Sequence, residues 1–310
     1  MIKSPEIRRL VFTTALAGTF AVPAFAQETG DLPALRLEAL DLTNAAREEA
    51  GLPELAPSDL LDQAAQDHAA DMLARGYHDH VSPDGETPFD RFIAAGGNTW
   101  SVSGENIATC EGCSVPPDAA RVTAFHDGWM QSPGHRENIL SEGFDSFGFG
   151  IVGEGSRVYA VQTFSGAGAG DGITEGLTPE AAREAALAEV NEARAAENLD
   201  PLERSDALDT AAGRVLENTA GGPDALPENI FDLLPEGSTG WTRLALQVAS
   251  VGGSGATITR DNIAMIISDW AAAGEAGQGL GGPDASHMGF AVEAAGDGRT
   301  SAAAVFAGRQ

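Results

Sequence analysis

Three side chains able to do chemistry together are His80, Glu105 and His135, separated by 25 and 30 residues. Neutral imidazoles are good ligands for a divalent ion such as Zn²⁺, and two of them with water leave open coordination positions. Glu105 would complete such a shell or act as a general base on a metal-bound water, whose pKa the ion lowers towards about 7. These spacings match no compact zinc motif such as HExxH, so separate elements must bring the three residues together.

Each of the three has a local setting that can be read from its neighbours. His135 lies in Trp129–Leu140 (WMQSPGHRENIL), after Ser132-Pro133-Gly134. Pro133 cannot continue a helix and Gly134 reaches backbone angles closed to other residues, so His135 is expected at a forced change of direction. Glu105 stands among small and apolar neighbours in Gly104–Ala108 (GENIA), which predicts partial burial. His80 precedes Ser82-Pro83-Asp84-Gly85, a predicted type I turn, and shares its parity with His78. His68 falls on the stripe of Leu61, Ala65 and Met72 and reads as a buried structural histidine, while His126, next to Phe125, is structural at the border of a packed face.

The elements that must position them follow from periodicity and capping. Asp31 caps a helix running to about Ala50, and Ser58 caps a second that Gly76 ends. Pro88 starts a short helix ending at Gly96-Gly97, and residues 118–131 form another, with Ala120, Ala124 or Phe125, and Gly128 or Trp129 on its inner face. Phe147–Val152 and Val158–Phe164, around Gly153-Glu154-Gly155, read as a β-hairpin. Cys110 and Cys113 lie in a loop containing Gly and Pro, where a local disulfide is expected after export, without a second pair to build a zinc site.

The N-terminus carries an address. Lys3, Arg8 and Arg9, an apolar run from Leu10 to Val22, and Ala24-Phe25-Ala26 read as a cleaved signal peptide over residues 1–26, so a secreted or periplasmic product is expected. Cleavage moves the formal charge from −28 to −30, because Lys3, Arg8, Arg9 and Glu6 leave with the leader, and every remaining cation is arginine. A surface that acidic repels phosphate backbones, which excludes nucleic acid as a partner. No other stretch approaches the ~20 apolar residues of a transmembrane helix.

The chain repeats itself. At an offset of 147, Asn44, Arg47, Leu55, Ser58, Asp62 and Ala65 recur as Asn191, Arg194, Leu202, Ser205, Asp209 and Ala212, and at 141 Trp100, Trp129 and Gly148-Phe149 recur as Trp241, Trp270 and Gly289-Phe290. At the second offset Glu105 becomes Leu246 and His135 becomes Ala276, and the region answering to His80, Leu226–Glu228, has no histidine. The scaffold is retained and the polar trio is not. The expected organisation is a site-bearing unit over 27–165, a Gly-rich linker over 166–177, and a degenerate repeat without the site over 178–310.

The ordered motifs HDHVSPDG, GENIA, WMQSPGHRENIL, FGFGIV and YAVQTF, from about Leu35 to Phe164, resemble the CAP superfamily, or SCP domain, of cysteine-rich secretory, antigen 5 and pathogenesis-related proteins, in its bacterial secreted branch. The resemblance implies an α+β fold: a three-layer α-β-α sandwich with a mostly antiparallel sheet, here tandemly duplicated. It implies a cleft tetrad of two His and two Glu, of which His80, Glu105 and His135 match three. The place of the fourth, three residues after Trp129, holds Ser132, and Glu137 lies nearby at a different position of the motif.

A tetrad short of one carboxylate favours a binding or interaction module over hydrolysis. Its expected partner is a small apolar ligand or an envelope component, and its cofactor Zn²⁺ or none. The alternative is a metal-assisted hydrolase with His80 and His135 holding the ion and Glu105 as base; the third reading is a structural envelope protein. The absence of a GxSxG motif argues against serine hydrolysis, and the pairing of the two cysteines against a cysteine nucleophile.

Overall fold

The computed structural model describes residues 27–168, 176–219, 227, 229–273 and 279–309. The predicted signal peptide, most of the predicted linker, and Ala276 lie outside these residues. Among the described residues no helix is long and apolar enough to cross a membrane.

The first unit begins with α1 (Leu32–Glu49), capped by Asp31, and α2 (Asp59–Arg75), capped by Ser58 and ended by Gly76 at φ 69°. Between them β1 (Ala56–Pro57) is a two-residue strand. Thr87 and Asp90 form a reciprocal capping box at the start of α3 (Pro88–Ala94). Then come β2 (Val102–Glu111), α4 (Ala119–Gln131), α5 (Pro133–Ile139), β3 (Ser146–Glu154) and β4 (Arg157–Gly166). The sheet has the order β1-β3-β4-β2; β2 and β3 both pair antiparallel to β4, and only the short β1 joins in parallel.

Helices cover both faces of this sheet. Val158, Ala160 and Phe164 pack with Phe149, Ile151, Val122, Phe125 and Trp129 on one side, while Tyr159 and Val161 pack with Ala65, Ala69 and Met72 of α2 on the other. The alternation Phe147-Gly148-Phe149-Gly150-Ile151 explains the fit. A Cβ at Gly148 would stand 2.2 Å from the Leu61 carbonyl carbon, and one at Gly150 2.3 Å from the Gln66 nitrogen, so glycine lets α2 lie directly on the strand.

The second unit has the same plan. Its elements are α6 (Pro179–Ala196), β5 (Glu203–Arg204), α7 (Asp206–Thr219), β6 (Trp241–Val251), α8 (Arg260–Ala273), β7 (His287–Ala294) and β8 (Thr300–Arg309), with sheet order β5-β7-β8-β6. Both units are α+β sandwiches of three layers. The buried contacts recur at the two sequence offsets: Asn44 exchanges hydrogen bonds with the Leu55 backbone as Asn191 does with Leu202, and Asp62 accepts from Phe149 N as Asp209 does from Phe290 N. Arg47 donates to the carbonyls of Pro53, Ile139, Ser141 and Phe144, and Arg194 to those of Asp200, Leu280, Gly282 and Ala285.

Four sequence expectations are sharpened or corrected. The change of direction expected at His135 falls at Ser132, between α4 and α5, and Pro133 starts α5, so His135 lies in the first turn of a short helix; a proline at the first helical position lacks only an N–H that would be unpaired anyway. The inner face of α4 is Val122, Phe125, His126 and Trp129, while Ala120, Ala124 and Gly128 are exposed, because the stripe is set by contact with α1 and the sheet. Cys110 belongs to β2, although the Cys110–Cys113 disulfide is present. Strand β4 runs to Gly166, so the first residue assigned to the linker is paired in the sheet, opposite Val102.

Replacing Arg47 by Leu leaves two buried and two half-buried carbonyls without their donor. The expected loss is about 3 kcal/mol or more of first-unit stability, read by urea unfolding. A loss under about 1 kcal/mol would mean that other contacts hold residues 139–144.

Candidate functional site

Strand β2 is an edge strand, and its centre is polar where a buried strand would be apolar. Glu105 and Asn106 are both buried and face opposite sides of the sheet. Asn106 donates to Gln162 Oε1 across the ladder (3.0 Å) and to the carbonyl of His135 (3.1 Å), while Gln162 donates to Thr43 Oγ1 (3.3 Å). Asn138 donates to Asn106 Oδ1 (2.9 Å) and to the Glu105 carbonyl (3.1 Å). This chain of amides ties α1, β4, β2 and α5 together and sets where the helix carrying His135 sits.

Glu105 is the centre of the other side. Its Oε1 accepts from His80 Nδ1 at 2.8 Å and its Oε2 from Arg91 Nη2 at 3.0 Å, with the carboxylate side chain only 3 % exposed. Arg91 also donates to the carbonyls of His80 (2.7 Å) and Glu86 (3.1 Å), so the same guanidinium holds the loop that carries His80. His68 Nε2 lies 3.7 Å from Glu105 Oε1 and within hydrogen-bond distance, 3.1 Å, of the Asp79 carbonyl. Its Nδ1 meets Tyr77 Oη at 3.4 Å, and Tyr77 donates to Asp71.

A carboxylate only accepts, so His80 must carry a proton on Nδ1 when it faces Glu105, and its neutral form presents a lone pair on Nε2. The hydrogen bond to Glu105 raises the His80 pKa above the ordinary 6.5, against the lowering effect of burial. His135 moves the other way: burial lowers its pKa, and the charges of His80 and His78 lower it further. Among the described residues neither His80 Nε2 nor the His135 ring has a hydrogen-bond partner.

Of the residues singled out by sequence, His80 and Glu105 are in direct contact, and His135 is tied to them through its backbone, its carbonyl accepting from Asn106 next to Glu105. Ser132 serves as the junction between α4 and α5 and makes no side-chain cap bond. Glu137 is exposed and lines a shallow groove with Met130, Arg136 and Leu140. It is Asn138, its neighbour, that reaches Glu105. Sequence reading missed Arg91, Asn138 and the contact of His68 with Glu105. Asn138 lay inside the motif already singled out, whereas Arg91 in an otherwise ordinary amphipathic turn carries no signal that it is buried.

The second unit fills these places with core. Positions answering to Glu105 and His68 are Leu246 and Val215, which belong to one apolar cluster with Leu208, Ala303 and Val305. Thr43 is answered by Val190, also buried, and Asn106 by Gln247, whose Oε1 is buried without a partner among the described residues.

The sequence model of the cysteine-rich secretory protein family, CAP, matches residues 40–164. Protein YkwD of Bacillus subtilis, itself uncharacterized, is 34% identical over 141 residues, 43% of this chain and 51% of that protein. The B. subtilis membrane protein YlbC, also uncharacterized, is 31% identical over 125 residues, 40% of this chain and 32% of its own length. The chain thus spans about half or less of the curated relatives it matches. A solved extracellular protein of Bacillus anthracis containing an SCP domain is 31% identical, with 43% of this chain and 41% of that chain covered at a TM-score of 0.37. Residues 40–164, and with them His80, Glu105 and His135, belong to the cysteine-rich secretory protein (CAP) family.

Proposed function

We propose that the chain is a secreted binding module whose first unit presents a two-histidine cleft site and whose second unit is a copy of the fold without that site. The observation that carries this reading is the state of Glu105. Both of its oxygens are engaged, by His80 and Arg91, and its side chain is buried. A general base must come within reach of the substrate's proton, and the Glu105 side chain is sealed from solvent. Glu105 instead orients His80, turning Nε2 into an acceptor of fixed direction, so the hydrolase reading loses Glu105 as its base.

The same arrangement fits a divalent ion in part. A metal-ligating histidine ordinarily donates its other ring N–H to a carboxylate, as His80 does to Glu105. His80 and His135 would hold the ion, with Glu105 outside the shell. Among the described residues no group of three or more His, Cys, Asp or Glu is arranged to bind a metal, so exogenous ligands or water would complete the coordination. An ion held in this way would offer exchangeable positions to an anionic or carbonyl group of a ligand. The partner's identity follows from the resemblance alone: a small apolar ligand or an envelope component.

Zn²⁺ titration of the full chain by calorimetry is expected to give one site that the His80→Ala/His135→Ala double variant lacks. Equal binding by the two proteins would sink the two-histidine site. NMR titration of the His80 ring is expected to give a pKa above 6.5, falling in Glu105→Gln. The sign for stability follows: the protonated ring is favoured in the folded state, so the His80 contribution is complete below the unfolded pKa and is lost as pH rises through the folded one. A His80 ring titrating at or below 6.5 in the parent protein would contradict Glu105 as its orienting partner.

A further inference from the structure

The ends of the two sheets meet at one place, and that place is the start of the site strand. Trp100, just before β2, accepts a hydrogen bond on its carbonyl from Gly253 N (2.8 Å), and the Ala167 carbonyl, just after β4, accepts from Gly255 N (3.0 Å). Asn98 donates to the Asp297 carbonyl (3.3 Å) and carboxylate (3.1 Å), and Ser101 donates to the same carbonyl (3.4 Å). The Arg299 guanidinium stands 5.8 Å from the centroid of the Trp100 ring.

The contact is backbone against backbone, and it requires glycine. Gly168, Gly253 and Gly298 have φ of 92°, 67° and 93°. A Cβ on Gly168 would lie 2.3 Å from Gly253 O, one on Gly253 2.9 Å from Val102 Cγ1, and one on Gly298 2.7 Å from Trp100 O and 2.8 Å from Ala167 O. Side chains at these positions would hold the units apart.

The clamped residues matter because of what they lead to. Val102 pairs with Gly166, and Glu105 follows three residues along the same ladder, about 10 Å away at the rise of a strand. Strand β2 lies at the sheet edge, bonded on one side only, and the ends of such strands fray first. The Glu105 backbone must nevertheless stay fixed, since its carbonyl holds Asn138 and its carboxylate holds both His80 and Arg91.

We propose that the second unit is a built-in clamp on the site strand: its glycine loops at 252–255 and 297–299 dock on Trp100–Val102 and Ala167–Gly168 and hold the end of β2 that carries Glu105. This assigns the site-less half of the chain a task that needs no ligand of its own. It concerns the rigidity of β2 and does not depend on what the cleft binds.

The test is amide hydrogen exchange by mass spectrometry on the full chain in Gly298→Ala and Gly296→Ala. Both glycines sit in the β7–β8 turn with positive φ, but a Cβ at Gly296 meets nothing within 4 Å, so it carries the backbone strain without the collision. Exchange over Val102–Asn106 is expected to accelerate roughly tenfold or more in Gly298→Ala and to stay at the parental rate in Gly296→Ala. Parental protection in Gly298→Ala, or equal loss in both variants, overturns the clamp. Should Gly298→Ala also deprotect α6 and α8, Asn98→Ala decides, because it removes contacts from the first unit's side: β2 must lose protection while α6 and α8 keep theirs, and unchanged β2 protection overturns the proposal.

Discussion

A guanidinium sealed inside the protein without a carboxylate beside it is the contact on which the first unit turns. Arg47 is 1% exposed and donates only to carbonyls, one just past its own helix and three between Ile139 and Phe144. Those three belong to the passage from α5 into β3, so one side chain fixes both the helix that carries His135 and the entry of a central strand. Arginine suits the task because its planar fork carries five donors and keeps its charge, whereas a lysine would offer three donors from a single point. Burial lowers the pKa of Arg47. Arg194 repeats the arrangement on Leu280, Gly282 and Ala285 and also lies buried. Two sandwiches with such different interiors share this joint, which marks it as the fold's own requirement.

On that shared scaffold the two units differ in what they place between α2 or α7 and the edge strand. The first unit sets a carboxylate there and surrounds it with Arg91, His80 and His68; the second sets Leu246 against Val215. Burying a carboxylate is costly unless it is paired and hydrogen-bonded, and Glu105 meets both conditions. Leucine at the same place needs neither. The polar cluster therefore contributes no packing that the apolar version lacks, and its retention in the first unit points to use of the His80 edge.

Much of the frame was legible in the chain itself. Asp31, Ser58 and Gly76 mark helix ends where they stand, since caps act over three or four residues and need no distant partner. The hairpin of β3 and β4 shows in its apolar run and its Gly155 turn. Strand β2 did not show, because an edge strand with Glu105 and Asn106 at its centre has no alternating apolar pattern to read. The inner face of α4 was left open between two stripes for a related reason: Ala120, Ala124 and Gly128 are spaced as regularly as Val122, Phe125 and Trp129, and only contact with α1 and the sheet chooses between them.

By itself the sequence determined which residue types were available and which half of the chain had them. His80, Glu105 and His135 stand in the first unit, and Leu246 and Ala276 answer in the second. The internal repeat made that contrast visible without any relative. Only the tertiary structure decided how those residues are used. Arg91, 14 residues before Glu105, binds and covers its Oε2, and His68 stands beside the same carboxylate from α2. The physical reason is that a carboxylate's role depends on which donors surround it in space, and here they come from α2, α3 and the loop before α3, which meet only when the sheet is folded.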